Sequence, residues 1–195
     1  MLLYKNISMQ IVILLISIII FSQVSNANTG KETGLEIPRY VSLKSNDANI
    51  RVGPSKNYPI KIKYIKKNYP LKILDEYEDW RKVEDFQKNF GWIHKSLISG
   101  TRTGIILSNE NKTIKLLNTL NGNVIGEIGR GNIVYLEKCK IDWCLVSFGN
   151  YRGWIDKKNI WGIKEKEIIN ISFIQKFEDL YWKSVNSLNK IQKIF

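Results

Sequence analysis

The chain is poor in the side chains that most often do chemistry. Its 195 residues include one histidine, His94, and two cysteines, Cys139 and Cys144. A nucleophilic Cys–His pair needs a thiolate beside an imidazole, and both cysteines are better used on each other. Two thiols and one distant histidine are too few for an ordinary metal centre. There is no His-Glu-x-x-His, no phosphate-cradling glycine loop ahead of a helix and no Gly-x-Ser-x-Gly. These absences predict a protein that is not an enzyme, with no catalytic residue, no metal and no cofactor. His94 is expected at the surface or at a strand end.

Acidic residues are also scarce, 18 against 30 basic ones, which leaves a formal charge of +12. Such a balance suits nucleic acid, an anionic membrane or an anionic wall polymer. The surplus is spread over both halves and the tail, however, and Ile, Lys and Asn together exceed a third of the chain. AT-rich coding produces that composition. The charge reads as a dispersed, solvated surface, with a dedicated polyanion site as the alternative, and no nucleic-acid partner is expected.

Long apolar runs are confined to the start. Lys5 precedes an almost wholly apolar stretch over residues 11–21, and Ser25-Asn26-Ala27 offers small residues where a signal peptidase reads. Residues 1–27 are expected to be a signal peptide cleaved after Ala27. An uncleaved anchor is the alternative, although Ser8, Gln10, Ser17, Ser22 and Gln23 interrupt the roughly 20 apolar residues that a span needs. No cysteine precedes Cys139, so a lipid anchor at the signal is not expected. The mature protein is predicted to be exported, periplasmic or secreted.

What the chain does have is a repeat. Asp79-Trp80-Arg81-Lys82-Val83, followed by Phe90-Gly91-Trp92-Ile93, returns as Asp142-Trp143-Cys144-Leu145-Val146, followed by Arg152-Gly153-Trp154-Ile155. The first tryptophans lie 63 residues apart and the glycines 62. That period is too long for a solenoid and about right for a small all-β barrel. Each half then reads as one domain. Domains this small bury only about 60% of their unfolded surface and need extra staples.

Short strands with turn signals fill each half. In the first they are expected at residues 40–44, 50–52, 60–67, 71–74, 80–86 and 90–94, with one helical turn at 96–98 and residues 75–79 as a loop. In the second, Ile114-Lys115-Leu116 stands where Ile50-Arg51-Val52 stood, and strands follow at 124–128, 133–137, 144–148 and 153–156. Residues 28–39 read as a flexible lead-in. Beyond 163 the period changes: Phe173, Phe177, Tyr181, Leu188 and Ile191 recur at three- and four-residue steps from Ser172 onwards. An amphipathic helix is expected within the tail, residues 164–195, packing on the second domain by default.

Ala48-Asn49-Ile50-Arg51-Val52-Gly53-Pro54-Ser55, then Trp80-x-x-Val83, then Gly91-Trp92-Ile93 together resemble the bacterial SH3 domain. The second half is similar to the same family with a worn first motif, and Trp161-Gly162 fits its end. The resemblance covers about residues 40–163. It implies a mainly β chain of two tandem small SH3-like β-barrels (40–100 and 104–163), each five-stranded, in an exported protein that holds cell-wall peptides or a partner protein. Arg51 is expected to donate to nearby loop carbonyls.

Two further expectations concern named side chains. Cys139 and Cys144 flank a four-residue hairpin connection, and export favours their pairing as a disulfide worth about 2 kcal/mol. Free thiols are the alternative. Trp80, with Tyr58, Tyr64, Tyr69 and Tyr77 in the loops beside it, forms either a packed cluster or a peptide groove. The function expected is a non-catalytic envelope module recognising peptidoglycan peptides or an envelope protein. The alternative is a structural or assembly protein whose tail helix docks on a partner or membrane.

Overall fold

In the computed structural model residues 28–109 and 112–169 are described. Among them the chain forms two seven-stranded antiparallel sheets and no α-helix. The first sheet comprises β1 (Arg39–Leu43), β2 (Ala48–Arg51), β3 (Ile60–Tyr64), β4 (Pro70–Tyr77), β5 (Trp80–Glu84), β6 (Phe90–His94) and β7 (Ile98–Ser99). The second comprises β8 (Thr103–Ile106), β9 (Ile114–Leu117), β10 (Val124–Ile128), β11 (Ile133–Cys139), β12 (Trp143–Phe148), β13 (Tyr151–Asp156) and β14 (Ile160–Trp161). A 3-10 turn precedes each last strand, Lys95–Leu97 and Lys157–Asn159.

The two strand orders are the same, β3-β2-β6-β5-β4-β1-β7 and β10-β9-β13-β12-β11-β8-β14. Each sheet buries its own inward residues against one another. In the first unit these are Leu43, Ile50, Leu71, Ile73, Val83 and Ile93; in the second, Ile106, Leu116, Val134, Val146 and Ile155. A single sheet can do this only by curling around its core. Each fully buried aliphatic contributes roughly 1.5–3 kcal/mol. The expected five-stranded barrels are corrected in two respects: each sheet has seven strands, and both sheets stay open, because no pairing joins β3 to β7 or β10 to β14. The strands that end the order, β7 and β14, are two residues long.

Trp80 and Trp143 open equivalent strands, and both preceding strands carry an irregularity at the same place, Ile73/Asp75 and Leu136/Lys138. The repeat is therefore structural. Its alignment shifts in one segment, since Arg51 pairs with Trp92 and Leu117 pairs with Trp154. Leu116, not Ile114, thus stands for Ile50. A shift of two residues keeps every side chain on its face, so alternation cannot detect it.

The lead-in is held rather than free. Glu76, an acidic residue expected in a loop, lies in β4 with its side chain fully buried. It accepts from the backbone of Glu32 at 3.0 Å and Thr33 at 2.9 Å, from the Thr33 hydroxyl at 2.8 Å and from Arg39 at 2.6 Å. Ile37 then enters the core. The expected tail helix and the expected signal peptide lie outside the described residues.

Candidate functional site

Each Gly-Trp motif has a steric cause. A Cβ on Gly91 would meet Ile50 Cγ2 at 2.5 Å and the Arg51 carbonyl at 2.7 Å. One on Gly153 would meet Leu116 and the Leu117 carbonyl at 2.9 and 3.0 Å. Glycine lets the sixth strand of each unit close onto the second. In the first unit that closure leaves a shallow groove of about 350 Å3 lined by Val52, Lys61, Lys82, Phe90, Gly91 and Trp92. Phe90 and Val52 are 53% and 52% exposed. The Lys61 ammonium sits 4.1 Å from the Phe90 ring and donates to the Phe90 carbonyl at 2.8 Å, and Lys82 lies 5.9 Å from the same ring. The groove thus offers an aromatic floor between two cations, a surface suited to an extended chain bearing a carboxylate.

The loop beside it is the Gly53-Pro54 turn. Tyr58 lies over Gly53, where an added Cβ would meet its ring at 2.6 Å, and Arg51 Nη1 donates to the Tyr58 carbonyl at 2.6 Å. Arg51 does what the sequence predicts. The second unit fills the matching positions with other residues: Arg152 replaces Phe90 and pairs with Glu137, and Ile125 and Leu145 replace Lys61 and Lys82.

The five aromatic residues singled out by sequence fall in three places. Tyr58 stands beside the groove. Trp80 is 8% exposed and packs edge-on against His94, with ring centroids 5.4 Å apart, and Tyr77 pairs with Trp80 across the hairpin. Tyr64 and Tyr69 meet at a tilt with ring centroids 4.9 Å apart and continue through Phe86 to Trp161, which meets Tyr40 at 5.3 Å. That last series joins the two units, with Asn68 donating to Tyr135 and accepting from Thr103. Burial pushes the Tyr64 and Tyr69 hydroxyls up, and hydrogen bonding of Tyr64 to Asp85 at 2.5 Å adds to its shift. The groove residues Val52, Lys61 and Phe90 were missed because exposed residues brought together from separate segments of the chain share no sequence period.

His94 and Asp156 occupy matching positions and share a role. Each ends its strand and caps the following 3-10 turn, accepting from the Ser96 and Lys158 amides respectively. Cys139 and Cys144 stand directly opposite and form the disulfide. Among the described residues no group of three or more His, Cys, Asp or Glu could hold a metal ion.

The sequence pattern of the bacterial SH3 domain matches residues 44–100 and 119–162, just over half of the chain. The protein belongs to that family. Its two SH3 units also show low similarity to solved structures. NlpC2 from Trichomonas vaginalis aligns at 12% identity and a TM-score of 0.29, over 68% of this chain and 51% of that one. An NlpC/P60 family protein from Bacillus cereus ATCC 10987 gives 10% and 0.28, over 63% and 55%. NlpC1 from Trichomonas vaginalis gives 15% and 0.28, over 76% and 52%. The chain spans about half the length of each. No curated protein matches it.

Proposed function

We propose that this tandem SH3 protein is an exported, non-catalytic binding module of the cell envelope. It holds a peptidoglycan peptide or an envelope protein in the open groove of its first unit. The observation that carries the reading is the asymmetry of the repeat. Only the first unit keeps the Gly53-Pro54 turn, the exposed Phe90 and the paired lysines Lys61 and Lys82. Of the aromatic residues expected at the site, Tyr58 beside the groove is the one that supports this reading; Tyr64, Tyr69 and Trp80 are taken up in packing, and Tyr77 is exposed at the β4–β5 hairpin. The disulfide suits an oxidising compartment.

Purified sacculi and solubilised envelope proteins, each offered to the full-length mature chain, test this. Phe90→Ala and Tyr58→Ala are expected to reduce the retained fraction severalfold while circular dichroism stays unchanged. Equal retention of both variants would remove the groove from the reading. Retention by neither fraction would remove the function.

A further inference from the structure

A second concavity lies where the two units meet, and the groove does not involve it. This cleft of about 340 Å3 is lined by four cations, Arg39, Arg102, Lys164 and Lys166, and by the carboxylates of Glu36 and Glu167, with Tyr40 beside them. Both carboxylates are already engaged. Glu36 accepts from Lys164 at 2.6 Å, and Glu167 pairs with Arg102 and accepts from the Lys164 amide at 3.1 Å. Lys166 is exposed and has no carboxylate partner among the described residues.

The arginines occupy the same place in the repeat. Arg39 pairs with Ile73 at the start of β1, and the Arg102 carbonyl accepts from Leu136, the counterpart of Ile73, just before β8. Each guanidinium keeps one nitrogen without an acceptor. Arg39 gives Nη2 to Glu76 at 2.6 Å, and Arg102 gives Nη2 to the Gly162 carbonyl at 2.9 Å and to Glu167 at 3.2 Å, with Nη1 also on Glu167. Arg39 Nη1 and Arg102 Nε are buried without any acceptor, two of the three side-chain atoms in that condition among the described residues. Native structures seldom tolerate buried donors left empty, and an ion is one of the things that satisfies them. The two arginines that carry these donors line one cation-rich cleft.

We propose that the cleft between the units is an oxyanion site, taking a small ligand through a carboxylate or phosphate group. The planar guanidinium fork matches either group, and Lys164 and Lys166 add charge at the rim. Bound there, the anion touches both units at once.

Calorimetric titration of the full-length mature protein, disulfide intact, tests the site with N-acetylalanine, inorganic phosphate and the neutral N-acetylalaninamide. At least one anion is expected to bind about tenfold more tightly than the amide. The stronger of the two names the group. Lys164→Gln combined with Lys166→Gln is expected to weaken that anion about tenfold, with the melting temperature showing the fold intact. Lys56→Gln, which removes a charge elsewhere, is expected to leave it unchanged. Equal binding of all three probes overturns the proposal. So does a loss from Lys56→Gln as large as that from the cleft lysines.

Discussion

The two units share strand order, hairpin length and the placement of an irregularity, yet they fill one cross-strand position in opposite ways. In the first, Glu76 stands opposite Arg81 and the two form a buried ion pair, 3.4 Å between Oε1 and Nε. In the second, Cys139 stands opposite Cys144 and they form a disulfide. Each pair ties the same two strands just before the tryptophan hairpin. Each also anchors a segment outside the repeat. Glu76 captures residues 32 and 33, and the Cys139 backbone exchanges hydrogen bonds with Ile169 at 2.9 and 3.0 Å. A small sheet with a limited core needs a staple there, and either an ionic network or a covalent bond supplies it. The choice makes the staple of the first unit sensitive to acid and that of the second sensitive to reductant.

The largest effect expected from breaking this comparison is Glu76→Ala. It strands Arg39, Arg81 and the amides of Glu32 and Thr33 in a buried site, at a cost of about 3–5 kcal/mol. Residue-resolved hydrogen exchange should show the loss in β1–β7 while β8–β14 keep their protection. Equal loss in both sheets would mean that the staples do not act unit by unit.

Acid should reproduce part of that loss. Burial pushes the Glu76 carboxyl up, but hydrogen bonds from Arg39, Thr33 and Glu32 outweigh it and hold it at about 2. A carboxyl depressed in the folded state stabilises fully above its ordinary value of 4.5 and loses that contribution as pH falls towards 2. The first unit should therefore lose roughly 3 kcal/mol over that window. Glu167 adds a contribution of the same sign to the second unit, since Arg102 and the Lys164 amide outweigh its burial. Denaturation curves of Glu76→Gln isolate the first unit's share: their acid slope should flatten. An unchanged slope would put the acid sensitivity elsewhere.

The features legible in the sequence were those with a short-range signature. Trp80, Gly91 and Trp92 announce their strands because a steric close approach and a hairpin each leave a fixed local pattern. β8 was missed because all four of its residues, Thr103–Ile106, are buried, so period-two alternation vanishes. β4 was cut short at residue 74 because Asp75 and Glu76 read as loop residues, and acidic residues are depleted in strands. The docking of the lead-in depends on Glu76, more than forty residues away, which no local pattern reveals. The aromatic site suffered from the same limit. Tyr64 and Tyr77 read alike in the sequence, yet one ends β3 buried in the core and the other ends β4 exposed, and only the fold sorts them.

The disulfide comes next in size. Replacing both Cys139 and Cys144 by Ala should cost the second unit about 2 kcal/mol. For a unit of this length that lowers its melting temperature by roughly 8–16 °C. Intact mass without reductant should first confirm the bond, at about two hydrogens below the reduced chain. A variant as stable as the parent would show that the Cys139–Ile169 pairing alone suffices to hold that end of the sheet.

The caps should give the smallest effect, and they test whether the two units are interchangeable in detail. His94 Nδ1 accepts from the Ser96 amide at 3.3 Å, and Asp156 Oδ1 accepts from the Lys158 amide at 3.0 Å. Alanine at Asp156 removes one cap and should cost about 1 kcal/mol. Alanine at His94 removes both the cap and the edge contact with Trp80, an additional 0.5–1.5 kcal/mol or so. His94→Asp keeps the acceptor and should fall between the parent and His94→Ala. The informative substitution is Asp156→His. It keeps an acceptor for the Lys158 amide and brings an imidazole to the position that faces Trp80 in the first unit, here occupied by Trp143. Its cost should stay within about 0.5 kcal/mol. A loss above 1 kcal/mol in thermal melting would show that the second unit needs the carboxylate for more than the cap. The Lys158 ammonium 2.7 Å from Asp156 Oδ2 would then be the first contact to remove, because it is the one the histidine cannot replace.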